Sequence, residues 1–438
     1  MMYDWANSAH SVIVVTLLPI FFDTVAGYTA DSVSSMSTWG YATSIAMAIV
    51  ALSAPFLGVF GDIRGMRKRL FALFVCIGVV AVALLSFTPM MDFMSSTAAA
   101  GRVAGLILAL YIVSVIGFDA SAIYYDAFLT DITTPERMDR VSTMGYGLGY
   151  IGGSTIPLVI FLLMNLAGVP MLTCLAVIFA ITAVWWLVFS LPLLKNCRQT
   201  SGKPYEKGDV GRSLRGVGAT VREIIANKPM LVYILAYFFY IDGVHTVISM
   251  ATTYGTNLGL DDTGMMLALL LVQILGLPFC LLYIRLAARF GARTMVGVGV
   301  CVYMFICVFA FFMRELWQFW LLAVLCATSQ GGIQALSRSM FGKLLPDKDR
   351  SGEFFGFFDI FGKFSSIMGP ALVGFVSALV ADRMLAEQGL TEATATAEQV
   401  DAINAASGPY GILSVLLIIL VGAVLYFFVL PKTLADKK

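Results

Sequence analysis

The chain predicts an all-α membrane protein with twelve transmembrane helices in two pseudo-symmetric six-helix bundles. Three observations carry this. Apolar stretches near 5–27, 37–60, 70–91, 103–129, 141–166, 169–194, 230–256, 263–287, 293–313, 317–340, 353–380 and 409–430 each reach the about 20 residues that cross hydrocarbon as helix. Hydrophobic residues make up 59% of the 438 and charged residues 13%, too little polar surface to cover a soluble core. The runs do not alternate apolar and polar over about ten residues, as barrel strands do.

The gaps between spans set the orientation. Those on one side hold Arg64, Arg67, Lys68 and Arg69; Arg137 and Arg140; Lys195, Arg198, Lys203, Lys207, Arg212, Arg215, Arg222 and Lys228; Arg285, Arg289 and Arg293; Lys343, Lys348 and Arg350; and Lys432, Lys437 and Lys438. Against these stand Arg102, Arg314 and Arg383, with Arg338 and Lys363 inside spans. Basic residues accumulate on the cytoplasmic side, so both termini and the central loop are expected there, in a plasma (inner) membrane. The first span opens on acidic Asp4, is too long for a cleavable signal and lacks its basic leader.

Six spans precede a polar stretch and six follow it. The expected division is 1–194, a linker over 195–229, and 230–438. The halves repeat one another. Asp131–Arg140 joins spans four and five, and Lys343–Arg350 joins ten and eleven; each carries a proline shortly before its final arginine, Pro135 five residues and Pro346 four residues ahead. Each turn then opens a glycine-rich helix that reaches Pro157 or Pro370. Arg64-Gly-Met-Arg67 likewise matches Phe290-Gly-Ala-Arg293. Duplicated halves of this kind place a solute cavity between them near mid-membrane. Gly145, Gly149 and Gly153 form a face for close helix packing.

The segment Gly58-Val-Phe-Gly-Asp62-Ile-Arg-Gly65-Met-Arg67-Lys-Arg resembles the signature loop of the major facilitator superfamily. Tyr3-Asp4-Trp5-Ala6-Asn7-Ser8-Ala9 looks like the opening of its vacuole-effluxer-like branch, as do Gln334-Ala-Leu-Ser-Arg338-Ser, Glu353-Phe-Phe-Gly356 and Gly362-Lys363. Members ordinarily carry a basic segment ahead of the Tyr-Asp-Trp, and this chain begins almost on it. The resemblance implies the major facilitator superfamily fold and, from eukaryotic members, amino-acid export. It also implies a cytoplasmic latch: Asp62, turned by Gly65 and held by Arg67, would face the helix that starts near Glu353. Ala288 stands where the second half would need the aspartate, so only the first copy should latch.

Charges inside spans each cost a few kcal/mol and tend to face a cavity or a partner. Asp119 lies roughly 16 Å deep, Asp242 about 18 Å and Lys363 roughly 15 Å, at about 1.5 Å per residue. Asp126 shares Asp119's face nearer the cytoplasm, and Asn7 and His10 sit near the cytoplasmic mouth. Asp242 with His245 three residues on is the most attractive proton site, although a helix–helix hydrogen bond accounts for the pair as well. Asp359 and Lys363, at i and i+4, read either as pathway residues or as a neutralised structural pair. Asp126 and Arg338, in near-equivalent places of the two halves, read as gate, packing or ligand groups.

Enzyme chemistry finds no support. Gly356–Lys363 has glycines too far apart for a phosphate-binding loop, and Phe364 replaces the required hydroxyl residue. Two histidines and unpaired cysteine spacings suit no familiar metal site, and no cofactor is expected. No basic, aromatic-interleaved surface suggests nucleic acid. The expectation is a monomeric secondary transporter working by alternating access, with a small-molecule solute, a coupling proton and the lipid bilayer as its partners. A cation-coupled importer and a non-transporting membrane sensor or scaffold are the alternatives.

Overall fold

A computed structural model describes residues 1–29, 35–204, 209–390, 394 and 396–431. Lys207 and the C-terminal Lys432, Lys437 and Lys438 lie outside the described residues. Among the described residues fifteen α-helices follow in order: α1 Met2–Val15, α2 Leu17–Ala26, α3 Ser35–Gly61, α4 Met66–Leu85, α5 Thr97–Ile132, α6 Pro135–Gly149, α7 Ile156–Leu166, α8 Met171–Asn196, α9 Asp209–Ala226, α10 Lys228–Asn257, α11 Asp262–Phe290, α12 Ala292–Phe311, α13 Leu316–Leu344, α14 Ser351–Glu387 and α15 Ala397–Val424. Twelve helical stretches among the described residues are long and apolar enough to cross a membrane, from Met2–Ala26 to Ala402–Val429. This is the span count read from the sequence.

Local chemistry explains the ends. Ser96 and Asp261 cap α5 and α11 by accepting from the amides of Ala99 and Gly264. Thr396 and Gln399 form a reciprocal capping box at α15. Gly65 (φ 81°) and Gly291 (φ 87°) make the reversals before α4 and α12; both need the positive φ that glycine allows, but Gly65 is left-handed helical (ψ −5°) and Gly291 is extended in ψ (147°), so the two copies turn differently. The linker is more structured than its composition suggests: α9 occupies most of it. Residues up to Glu387 extend α14, and Ala397 opens α15.

The chain forms two compact units. The first comprises Met1–Thr220 and Leu345–Ile360. Within it α4 packs on α5 and α8, α1 on α8 and α6, and α3 on α5. Tyr3, Phe21, Phe71, Phe128 and Trp186 fill its core. Glycines of the α6 face turn toward α1: a methyl on Gly145 would strike Asp4, and one on Gly153 would strike Ser8. The second unit comprises Val221–Leu344 and Phe361–Lys438. Here α10 packs on α15, α11 on α13, and α12 on both α13 and α15. Helix α14 therefore begins in the first unit and continues in the second.

Candidate functional site

Two polar centres stand out. The first, in the first unit, gathers around the turn between α3 and α4. Gly65 reverses the chain, which lets Arg67 in the first turn of α4 fold back on Asp62. Arg67 has no exposed surface. Its Nη2 donates to Asp62 Oδ1 at 2.8 Å and to Ser351 Oγ at 2.9 Å. Its Nη1 donates to Asp131 Oδ2 at 2.6 Å and to the Ala127 carbonyl at 3.1 Å. A planar guanidinium can serve two carboxylates at once in this way, where a lysine could not.

Asp62 also accepts the first free amides of α14, Gly352 N at 2.7 Å and Glu353 N at 2.8 Å. A negative charge at a helix N-terminus is favoured by those unpaired donors. The approach requires small residues: a methyl on Gly352 would lie 2.5 Å from the Gly58 carbonyl and 2.7 Å from Asp62 Oδ1. Burial pushes the Asp62 carboxyl up to about 7, against the downward pull of Arg67 and the two amides, while Glu353 adds to the rise. Glu353 in turn accepts from Thr220, within α9, and from Arg350, in the turn just ahead of α14.

The start of the linker completes this centre. Asp131 Oδ1 accepts from the amides and hydroxyls of Thr200 and Ser201, at 2.7 to 3.1 Å. Gln199 Oε1 accepts from Gly65 N at 2.9 Å and Arg67 N at 3.3 Å, and its Nε2 donates to the Gly61 carbonyl at 3.0 Å. Ile63 and Lys203 pair as an isolated parallel bridge.

The second centre lies in the second unit. Asp242 on α10 has no exposed surface and accepts the amide of Gly369, on α14, at 2.9 Å through Oδ1. Its Oδ2 has no hydrogen-bond partner among the described residues, nor has the buried hydroxyl of Thr246, one turn on. Pro370 follows Gly369 directly; proline lacks the amide that would continue the helix ladder and crowds the preceding turn. Gly369 is also what allows the approach, since a methyl there would overlap Thr246 and lie 2.9 Å from Asp242 Oδ1.

The other sequence candidates lie on α1, α5, α10, α13 and α14. His10 is buried, with Nε2 at 3.1 Å from Ser114 Oγ and its ring stacked on Phe118. Asp119 is buried on α5, and Asp126 is half-buried on the same helix. Asn7 is half-buried on α1. Asp359 belongs to the first unit and Lys363 to the second, both half-buried on α14. Arg338 is buried on α13 of the second unit. His245 is half-buried on α10, and Thr246 lies beside Asp242 and Gly369.

Sequence reasoning did not single out Asp131, Gln199, Ser201, Ser351, Thr246 or Gly369. Asp131 was detectable, since it opens the repeated turn before span five. Gln199 and Ser201 carry no such signal in an unremarkable polar linker.

Residues 26–383 match the family described as Vacuole effluxer Atg22 like. A protein of Bacillus subtilis (strain 168), "Uncharacterized MFS-type transporter YxiO", is 42% identical over 386 residues, covering 86% of this chain and 87% of that protein. "Autophagy-related protein 22-1" of Penicillium rubens is 25% identical over 263 residues, covering 54% of this chain and 44% of its own length. The chain thus spans under half the length of that fungal relative. Among solved structures, the proton:xylose symporter XylE aligns with a TM-score of 0.67 at 14% identity, covering 99% of this chain and 94% of that one. A bacterial homologue of the iron transporter ferroportin aligns at 0.61 with 14% identity, covering 97% and 96%. These likenesses carry the fold, and the family match carries the kinship: the chain is a membrane transporter of the major facilitator superfamily fold and belongs to the vacuole effluxer Atg22-like family.

Proposed function

We propose that this transporter works by alternating access and couples the export of amino acids, or similar small metabolites, to protons. The observation that carries the coupling is the Asp242–Gly369 contact. An apolar span keeps a fully buried carboxylate despite its cost, and ties it to another helix beside an internal proline. Protonating Asp242 removes the charge that strengthens this bond, and so loosens α14 where its ladder is already interrupted. The export of amino acids is supported by the kinship with the Atg22-like family alone.

Reconstituted protein tests the coupling. Asp242→Asn is expected to abolish solute accumulation driven by a pH gradient while leaving solute exchange at equal pH largely intact. Exchange needs only a site that alternates between the two sides; accumulation needs a group that binds and releases a proton. Accumulation that survives in the variant moves the coupling site elsewhere, with Asp119 next.

In the same reading both termini and the linker face the cytoplasm of a plasma (inner) membrane, and the protein acts as a monomer. The asymmetry of Lys and Arg supports this orientation. In sealed cells carrying a cysteine-depleted background, cysteines at Met94 and Thr396 are expected to react with an impermeant thiol reagent, and one at Arg198 to be protected. Labelling at Arg198 from outside reverses the topology.

A further inference from the structure

The seven residues that follow α8 do more than connect the two halves of the chain. Between Cys197 and Lys203 the chain lies along the α3–α4 turn and bonds to it on both edges. The Cys197 carbonyl accepts from Lys68 Nζ at 3.2 Å. Lys203 N donates to the Asp62 carbonyl at 3.0 Å, and Arg64 N donates to the Lys203 carbonyl at 2.9 Å. Gly202 N donates to Asp349 Oδ1 at 2.8 Å, just ahead of α14. Gly202 has φ 114°, and a methyl there would come within 2.6 Å of the Asp62 carbonyl, so this crossing admits no larger residue without strain.

We infer that residues 197–203 form a strap that positions Arg67, and that Gln199 is its principal positioning residue. The argument is one of unpaired backbone donors. A tight turn leaves amides that the helix that follows cannot satisfy, and a donor without a partner is costly. Gln199 satisfies two of them, Gly65 N and Arg67 N, with one oxygen, and anchors its own amide nitrogen on Gly61. The backbone at both ends of the turn is thereby held against one side chain. Arg67 can reach Asp62, Asp131 and Ser351 together only while that backbone is fixed. Asp131 closes the circle, taking Arg67 on one oxygen and the strap on the other. The order of the turn therefore depends on the segment that joins the two halves of the chain. The inference rests on reading the Asp62 cluster as a latch that transport must open and close.

Amide hydrogen exchange and transport by the full-length reconstituted protein test it together. Gln199→Ala removes the acceptor, and Thr200→Asp sets a carboxylate against Asp131. Both are expected to speed exchange over residues 62–68 by about tenfold or more, as local protection is lost. Both should also slow transport. Asp62→Asn should slow transport by itself, because its amide nitrogen points a donor at groups that are all donors. Adding Gln199→Ala to it should then cost nothing further. Lys195→Ala, exposed in the last turn of α8 ahead of the strap, should change neither readout. Unchanged exchange in both strap variants overturns the inference, and so do transport losses that multiply with Asp62→Asn. Wild-type transport in Asp62→Asn sinks the latch reading alone, and the strap then stands or falls on the exchange result.

Discussion

Asp62 and Asp242 are both buried carboxylates at a helix that each accepts an amide from, yet their surroundings differ. Asp62 sits outside the apolar spans with a guanidinium, two helix amides and a second carboxylate across the guanidinium. Asp242 has one amide, one oxygen without a hydrogen-bond partner among the described residues, and a buried hydroxyl one turn away in the same position. The first arrangement distributes a charge over many fixed partners, which gives it one geometry and makes losing a member expensive. The second leaves a carboxylate whose protonation changes a single contact. A latch suits the first description and a titrating site suits the second.

Three measurements sharpen or break this contrast. The largest effect is expected for Arg67→Ala, which leaves Asp62 and Asp131 facing each other without their shared cation. Removing one partner of a buried ion pair costs about 3–5 kcal/mol. A drop in thermal stability should therefore accompany lost transport, and Arg67→Lys should rescue little because one ammonium cannot bridge both carboxylates. Stability near that of wild type in Arg67→Ala would mean the network is incidental. Gly369→Ala should cost less, about 1–3 kcal/mol for overpacking at the α10–α14 contact. Its sharper signature is a change in pH-driven accumulation larger than any change in equal-pH exchange; equal losses in both would make the contact a packing feature only.

The smallest effect is acidification acting on Asp62. Its carboxyl is raised to about 7 in the latched state, from the ordinary value of 3.8. Between those values the latched state holds the proton that an exposed aspartate has released, so its stability falls as pH rises through this window. Lowering the pH from 8 to 6 should thus favour the latch by up to about tenfold, measured as slower thiol labelling of a cysteine that latch opening exposes. Protonation and Asp62→Asn are not equivalent: a neutral carboxyl keeps lone pairs for the two amides, whereas asparagine exchanges an acceptor for a donor. Faster labelling at pH 6 than at pH 8 would reverse the sign assigned to burial.

How much of this was legible in the sequence differs between the centres. The spacing of Gly58, Asp62, Gly65 and Arg67 made the turn visible, because close backbone approach, charge and reversal impose residue types at fixed local distances. Of its partners, only the helix start near Glu353 was named from the sequence. Gln199 bonds residues 132 and 134 positions away, and no local pattern in a polar linker marks it. In the second unit, burial cost pointed to Asp242, but Thr246 one turn on and Gly369 across the contact carried no signal of their own, because their approach is set by packing between helices.

The sequence by itself determined that twelve helices cross a bilayer, because hydrocarbon tolerates only long apolar runs whose backbone groups bond internally. It also determined the duplicated turns and which few charges remain inside the spans. Only the tertiary structure decided which groups meet those charges. Hydrogen-bond partners are chosen by proximity in space, and here the chain brings together residues more than a hundred positions apart: Asp62 with Glu353, Gln199 with Gly65, Asp242 with Gly369.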